Sequence, residues 1–204
     1  RRHLGELLLD PTVHGYTPIL GLPILREAYA SHLSSFYGAP IASSEVGITS
    51  GCNQAFCLAL MSLAQAGDQV ILPRPHYFNH DMWMRMQGVD PVSLDFRPGS
   101  GAVPDAEDAA KLIGPRTRAI VLISPNNPTG AVYPRATIHA FYELAKQRGI
   151  ALILDETYKD FLPEGERPHD LFGDPSWRGT LVHLYSFSKV FALTGYRVGG
   201  VTAG

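Results

Sequence analysis

Ile150-Ala151-Leu152-Ile153-Leu154 runs straight into Asp155-Glu156-Thr157-Tyr158, and this stretch decides the fold. Its apolar residues follow one another without the alternation of a half-solvated strand, which describes a strand covered on both faces. Residues 119–123 and 181–184 repeat the pattern, and residues 70–72 and 91–96 add shorter strand-like runs. Between two of these strands, residues 134–148 carry Ile138, Phe141, Tyr142 and Ala145 on one helical face, with Gly149 as the stop. Continuous apolar strands separated by helices predict an α/β fold, a mostly parallel sheet between two helical layers.

Toward the amino terminus, residues 21–38 predict an amphipathic helix. Leu22, Leu25, Tyr29, Leu33 and Phe36 recur at steps of three and four, Pro23 lies near the start and Gly38 past the end. Residues 46–49 read as a short strand that passes through Ser50-Gly51 into residues 52–66, apolar nearly all round and so expected as a buried helix. There is no internal repeat and no low-complexity segment.

The chain has 204 residues, 45% of them apolar, enough for one domain with a full core. A net charge of −2 gives no electrostatic match to nucleic acid or an anionic membrane. The longest apolar stretch, residues 55–66, is too short to span a bilayer, and Arg1-Arg2-His3 precedes only a brief apolar patch rather than a signal peptide. Cys52 and Cys57 fit neither a disulfide framework nor a zinc site, so a cytoplasmic location is expected. The chain lacks an initiator methionine, and residues 198–204 read as an apolar strand cut short with its neighbours missing. A fragment of a longer protein is the expectation.

Ligands of open α/β sheets bind beyond the carboxyl ends of the strands. Ser50-Gly51, Asn127, Asp155 and Ser186-Phe187-Ser188-Lys189 each fall just past a predicted strand, so they are expected to converge on one crevice. A lysine held there with tuned basicity can form an imine with a carbonyl. Arg197 follows Lys189 closely, and Asn126-Asn127-Pro128-Thr129-Gly130 lies upstream.

In that order and spacing these motifs resemble the aspartate aminotransferase superfamily (class I/II) of fold type I pyridoxal 5'-phosphate enzymes, along nearly the whole chain. The resemblance implies an incomplete cofactor-binding large domain. Residues 1–20 would be a leading segment and 21–204 the helices and sheet, with an amino-terminal segment and a small carboxyl-terminal domain outside the chain. It implies Lys189 as the catalytic Schiff-base lysine, serving as general base once displaced. Asp155 would keep the pyridine nitrogen protonated; taken alone it reads as a helix N-cap or a loop carboxylate. Asn127 and Tyr158 would bond the phenolic oxygen, although residues 126–130 alone read as a plain turn. In the family the corresponding Asn-Pro bond is often cis.

The same resemblance assigns the phosphate to Ser186, Ser188 and Arg197, together with Gly51, Cys52 and Asn53 at the start of the apolar helix. Many relatives carry serine, threonine or alanine at Cys52, so a backbone contact survives there and a hydroxyl contact does not. Taken alone, Gly51 is an ordinary strand-to-helix turn and the serines are solvated hydroxyls. Tyr77 would stack on the cofactor ring, or else is a core tyrosine. Tyr16 matches a tyrosine that reaches the phosphate of a neighbouring subunit, which implies a homodimer.

Other features point to less. His76 and His80 could share a helix face, but no carboxylate or cysteine completes a metal pattern, and no metal is expected. Met82, Trp83, Met84 and Met86 read as core or pocket wall, residues 97–101 as a loop, and His183 as a hydrogen-bonded core residue. The implied reaction is transfer of an amino group between an L-amino acid and a 2-oxo acid. A lyase, a synthase or an amino-acid oxidase of the same fold shares every motif quoted, as does the effector domain of a transcription regulator. The arginine that grips the substrate α-carboxylate would lie outside the chain.

Overall fold

Strand alternation explains why the central runs are apolar at every position. The computed structural model describes residues 2–204. In β4 (Thr117–Ile123) and β5 (Ala151–Asp155), Ile120, Leu122, Leu152 and Leu154 enter one core, and Ala119, Val121, Ile123, Ala151 and Ile153 the other. Each face of the sheet is covered, so neither set can be polar.

The sheet also contains β1 (Val46–Thr49), β2 (Gln69–Arg74), β3 (Asp90–Asp95), β6 (Leu181–Ser186) and β7 (Gly199–Thr202), in the order β1-β7-β6-β5-β4-β2-β3. Strands β2 to β6 run parallel, while β7 is antiparallel to both β6 and β1. One face is covered by α3 (Cys52–Leu63) and α4 (Phe78–Met86). The other is covered by α2 (Pro23–Tyr37), α5 (Ala106–Leu112) and α6 (Arg135–Arg148), with Leu171, Phe172 and Trp177. Each fully buried large side chain, such as Leu33 or Phe141, contributes about 1.5–3 kcal/mol by leaving water. A further short helix, α1 (Arg2–Leu7), leads into an exposed amino-terminal segment. No described helix is long and apolar enough to cross a membrane.

The three-layer α/β fold is the one the sequence predicts, and α2 and α6 stop at Gly38 and Gly149, both left-handed. Three expectations need correction. Strand β7 has not lost its neighbours: it turns back beside β6 and pairs on its other side with β1, Val46 opposite Thr202. Helix α3 is not buried all round, since Leu58 and Met61 are exposed. Of the four residues read as core or pocket wall in α4, Met84 is buried, but Met82 and Met86 lie on the outer side of the helix.

Candidate active site

The carboxyl ends of β4, β5 and β6 and the start of α3 open onto one cleft. Its lining includes Cys52, Asn53, Tyr77, Asn127, Asp155 and Tyr158, together with Ser186, Ser188, Lys189 and Arg197. Ten of the expected site residues therefore meet although they are scattered along the chain. Gly51 borders them through its backbone. It sits at φ +81°, and a side chain there would collide with the Arg197 guanidinium. Tyr16 does not join the cleft of its own chain, and its side chain is fully exposed.

The part of the cleft beside the start of α3 suits an anion. The first intrahelical bond of α3 runs from the Gln54 N–H to the Gly51 carbonyl, so the amides of Cys52 and Asn53 stand ahead of it. The Arg197 guanidinium lies against Gly51. Arg197 adopts a left-handed backbone (φ 57°), and its Nη1 donates to the Thr194 carbonyl at 3.0 Å. Gly199 matters equally, because a Cβ there would overlap the Gly51–Cys52 peptide. The strand-end loop is braced from within: the Ser188 N–H donates to Ser186 Oγ at 3.2 Å, and Thr194 Oγ1 donates to the Ser188 carbonyl at 3.1 Å.

Asp155 also faces the cleft, buried at the tip of β5. Its Oδ1 accepts from the Thr157 amide at 3.0 Å and hydroxyl at 2.7 Å, and its Oδ2 lies 3.4 Å from His80 Nε2. Burial alone would push this carboxyl up, but His80 and Thr157 outweigh it and hold it below its ordinary value. The cleft therefore keeps an anion in its floor. Burial, with the charge of Asp155, pushes the Tyr158 hydroxyl up, so it remains protonated near neutral pH; Asn127 opposes part of that rise. Burial and the Asp155 charge push the Cys52 thiol well up, which keeps it a neutral wall.

Local structure frees the remaining groups. In the turn after β4, Asn126 Oδ1 accepts from the Thr129 amide and hydroxyl, and Asn126 Nδ2 donates to the Tyr133 hydroxyl at 3.0 Å. Asn126 secures the turn and Asn127 is left to the cleft. The Asn127–Pro128 bond is cis. Asn79 Nδ2 donates to the Tyr77 hydroxyl at 2.9 Å, and Trp83 Nε1 donates to Asn53 Oδ1 at 3.1 Å.

Sequence reading missed His80, Thr157, Thr194 and Ile123, which also line the cleft. No sequence pattern marked His80 for the cleft, because α4 itself was not legible; the helix brings it beside its N-cap Tyr77. The buried His80 ring stacks on Phe56, with centroids 4.0 Å apart. His76 does not share that environment, and among the described residues no cluster could hold a metal ion. His183 is the hydrogen-bonded core residue expected of it, 2.9 Å from Glu156.

The family described as aminotransferase class I and II matches residues 2–203. The chain is 33% identical to an aspartate aminotransferase of Sulfurisphaera tokodaii over 99% of its own length and 51% of the relative's. It is 37% identical to an aspartate/prephenate aminotransferase of Thermus thermophilus over 90% of its length and 47% of the relative's. The solved aspartate aminotransferase from Thermus thermophilus with maleate superposes with a TM-score of 0.88 at 34% identity, covering all of this chain and 51% of that one. The chain spans about half the length of the curated relatives it matches.

Proposed function

The chain belongs to the class I and II aminotransferases, and we propose that it forms the cofactor-binding part of a pyridoxal-5'-phosphate-dependent enzyme that moves an amino group between an L-amino acid and a 2-oxo acid. The observation that carries this reading is the donor set of the cleft. Arg197, the free amides of α3, the buried Asp155 carboxylate and Lys189 meet in it. A group with a phosphate at one end, a basic ring nitrogen at the other and a carbonyl between them fits this donor set. A Cβ at Gly51 would meet the Arg197 guanidinium beside the α3 amides, so glycine there leaves backbone approachable by a phosphate, and Gly199 lets β7 pack against the Gly51–Cys52 peptide.

Bound pyridoxal phosphate supplies an aromatic ring that accepts electrons from the substrate α-carbon. Asp155 keeps a proton on the ring nitrogen, and His80 and Thr157 keep Asp155 ionised and aimed. Tyr158 and Asn127 would bond its phenolic oxygen, and Tyr77 would face its ring. Ser186, Ser188, Arg197 and the amides of Cys52 and Asn53 would hold its phosphate, with Gly51 allowing the approach. Lys189 Nζ would be the amine that holds its carbonyl and, when free, the base that takes and returns the proton of the substrate α-carbon.

The substrate α-carboxylate is held by a part of the protein outside these residues, which the half-length match to the relatives supports. The intact protein is a homodimer in which the exposed Tyr16 reaches the partner's phosphate. Two free cysteines suit a reducing cytoplasm. To test the reaction, the intact protein loaded with pyridoxal phosphate is mixed with single L-amino acids. The expected product is the matching 2-oxo acid, with the amino group retained on the cofactor until a second 2-oxo acid takes it. Release of carbon dioxide, or of ammonia with peroxide, would contradict transamination.

A further inference from the structure

On the face of the sheet opposite the cleft lies a second constellation that the reaction does not use. Glu156 follows Asp155, so strand alternation turns its side chain away from the cleft and into the other core. The carboxylate is fully buried. Its Oε2 accepts from the Tyr37 hydroxyl of α2, lies 2.9 Å from His183 Nε2 of β6 and 3.4 Å from His169 Nε2. Tyr37 stacks on His169 with centroids 4.6 Å apart, and Phe172 closes against both rings. Burial alone would push this carboxyl up, and the two histidines outweigh it and hold it below its ordinary value. A charge taken this far from water is costly unless paired, and a well-packed apolar cluster would serve stability as well.

The network continues along the same segment. Lys159 is buried, bonds Asp160 at 2.7 Å and lies over the Phe36 ring at 4.0 Å, while the Tyr185 hydroxyl donates to Asp160 at 2.5 Å. The backbone is tied too: the Glu156 N–H donates to the Leu184 carbonyl at 3.0 Å, and the Lys159 N–H to the Glu156 carbonyl at 3.1 Å. Residues 155–160 are thus held from both faces of the sheet, with Asp155, Thr157 and Tyr158 toward the cleft and Glu156, Lys159 and Asp160 away from it. We propose that Glu156 is a positioning residue: its anchorage by Tyr37 and His183, with His169 close beside it, fixes the backbone from which Asp155 reaches the cofactor's ring nitrogen. The inference rests on the pyridoxal phosphate reading above. Its action is mechanical, through one peptide unit, and needs no contact between Glu156 and any ligand.

The test reads the ring nitrogen itself. The intact protein is loaded with pyridoxal phosphate isotopically labelled at that nitrogen, and its nuclear magnetic resonance signal is followed across pH. The series comprises the unaltered protein, Asp155→Asn, Glu156→Gln and Tyr37→Phe, each shown to be folded by circular dichroism. The unaltered protein is expected to keep the nitrogen protonated through neutral pH, and Asp155→Asn to lose that protonation. Glu156→Gln should move the titration midpoint down by about one pH unit, the scale on which local surroundings move such groups, and Tyr37→Phe should move it less, in the same direction. A folded Glu156→Gln protein titrating like the unaltered one overturns the positioning role. If Glu156→Gln does not fold, an unmoved midpoint in folded Tyr37→Phe overturns it. An unprotonated nitrogen in the unaltered protein defeats the cofactor reading itself, a result distinct from either.

Discussion

Lys159 and Lys189 show how position assigns chemistry to one residue type. Lys159 is buried beneath Phe36 and Tyr185 and is committed to Asp160, whereas Lys189 lines the cleft and makes no ion pair among the described residues. Lys189→Ala should abolish turnover and leave the phosphate contacts in place, read as retained cofactor binding without product. Lys159→Ala should instead remove a charge-assisted bond and leave the half-buried Asp160 to Tyr185, costing about 1.5–3 kcal/mol in denaturant unfolding. Asp155→Ala should lower kcat far more than cofactor affinity, because the ring's electron demand peaks in the transition state; equal losses in both would make Asp155 a structural carboxylate. Ser186, Ser188, Lys189 and Arg197 were legible because they lie close together in the chain. His80 and Glu156 were not, since each draws its meaning from partners far away in sequence, Asp155 for one and Tyr37 and His183 for the other.

Glycines at the ends of elements separate two kinds of constraint. Gly149 caps α6 at φ 63° with nothing near its Cα, so Gly149→Ala should cost only the left-handed backbone, about 1 kcal/mol in thermal or urea unfolding. Gly199 on β7 has no such open space, and a methyl group there meets the Gly51–Cys52 peptide. Gly199→Ala should cost about 3 kcal/mol as overpacking and also weaken binding of pyridoxal phosphate, because it pushes apart the two segments of the anion cradle. Unchanged affinity, measured by equilibrium dialysis, would remove Gly199 from the site. Strands β4, β5 and β6 could be read from sequence because burial on both faces leaves an unbroken apolar run. The pairing of β7 with β1 could not, since a four-residue strand carries no mark of its neighbour. Helix α4 was missed for another reason: it buries only His80 and Met84, too few to set up a period.

Across the whole molecule, two buried groups of the Glu156 network tie stability to pH. Burial holds His183 below its ordinary 6.5 despite Glu156 beside it, and Glu156 is held below its ordinary 4.5 by the histidines, which outweigh its burial. For each, the unfolded chain binds a proton at a higher pH than the native one, so stability is complete above the ordinary value and falls as pH drops beneath it. The melting temperature should therefore hold above about pH 6.5, decline below it through His183, and fall further below about 4.5 through Glu156. A melting temperature that rises on acidification from neutral would contradict the burial of neutral His183. Fold class and cleft were legible at this scale because the strand-end rule gathers distant motifs. For the exposed leading segment only the resemblance at Tyr16 names a partner, since Tyr16 and Ile19 touch little of their own chain. The central claim is that the cleft holds pyridoxal phosphate through Lys189. The most direct measurement is to load the intact protein with the cofactor, reduce with borohydride and map the modified peptide. Label on Lys189 alone is the predicted result, and label on another lysine, or none, would contradict it.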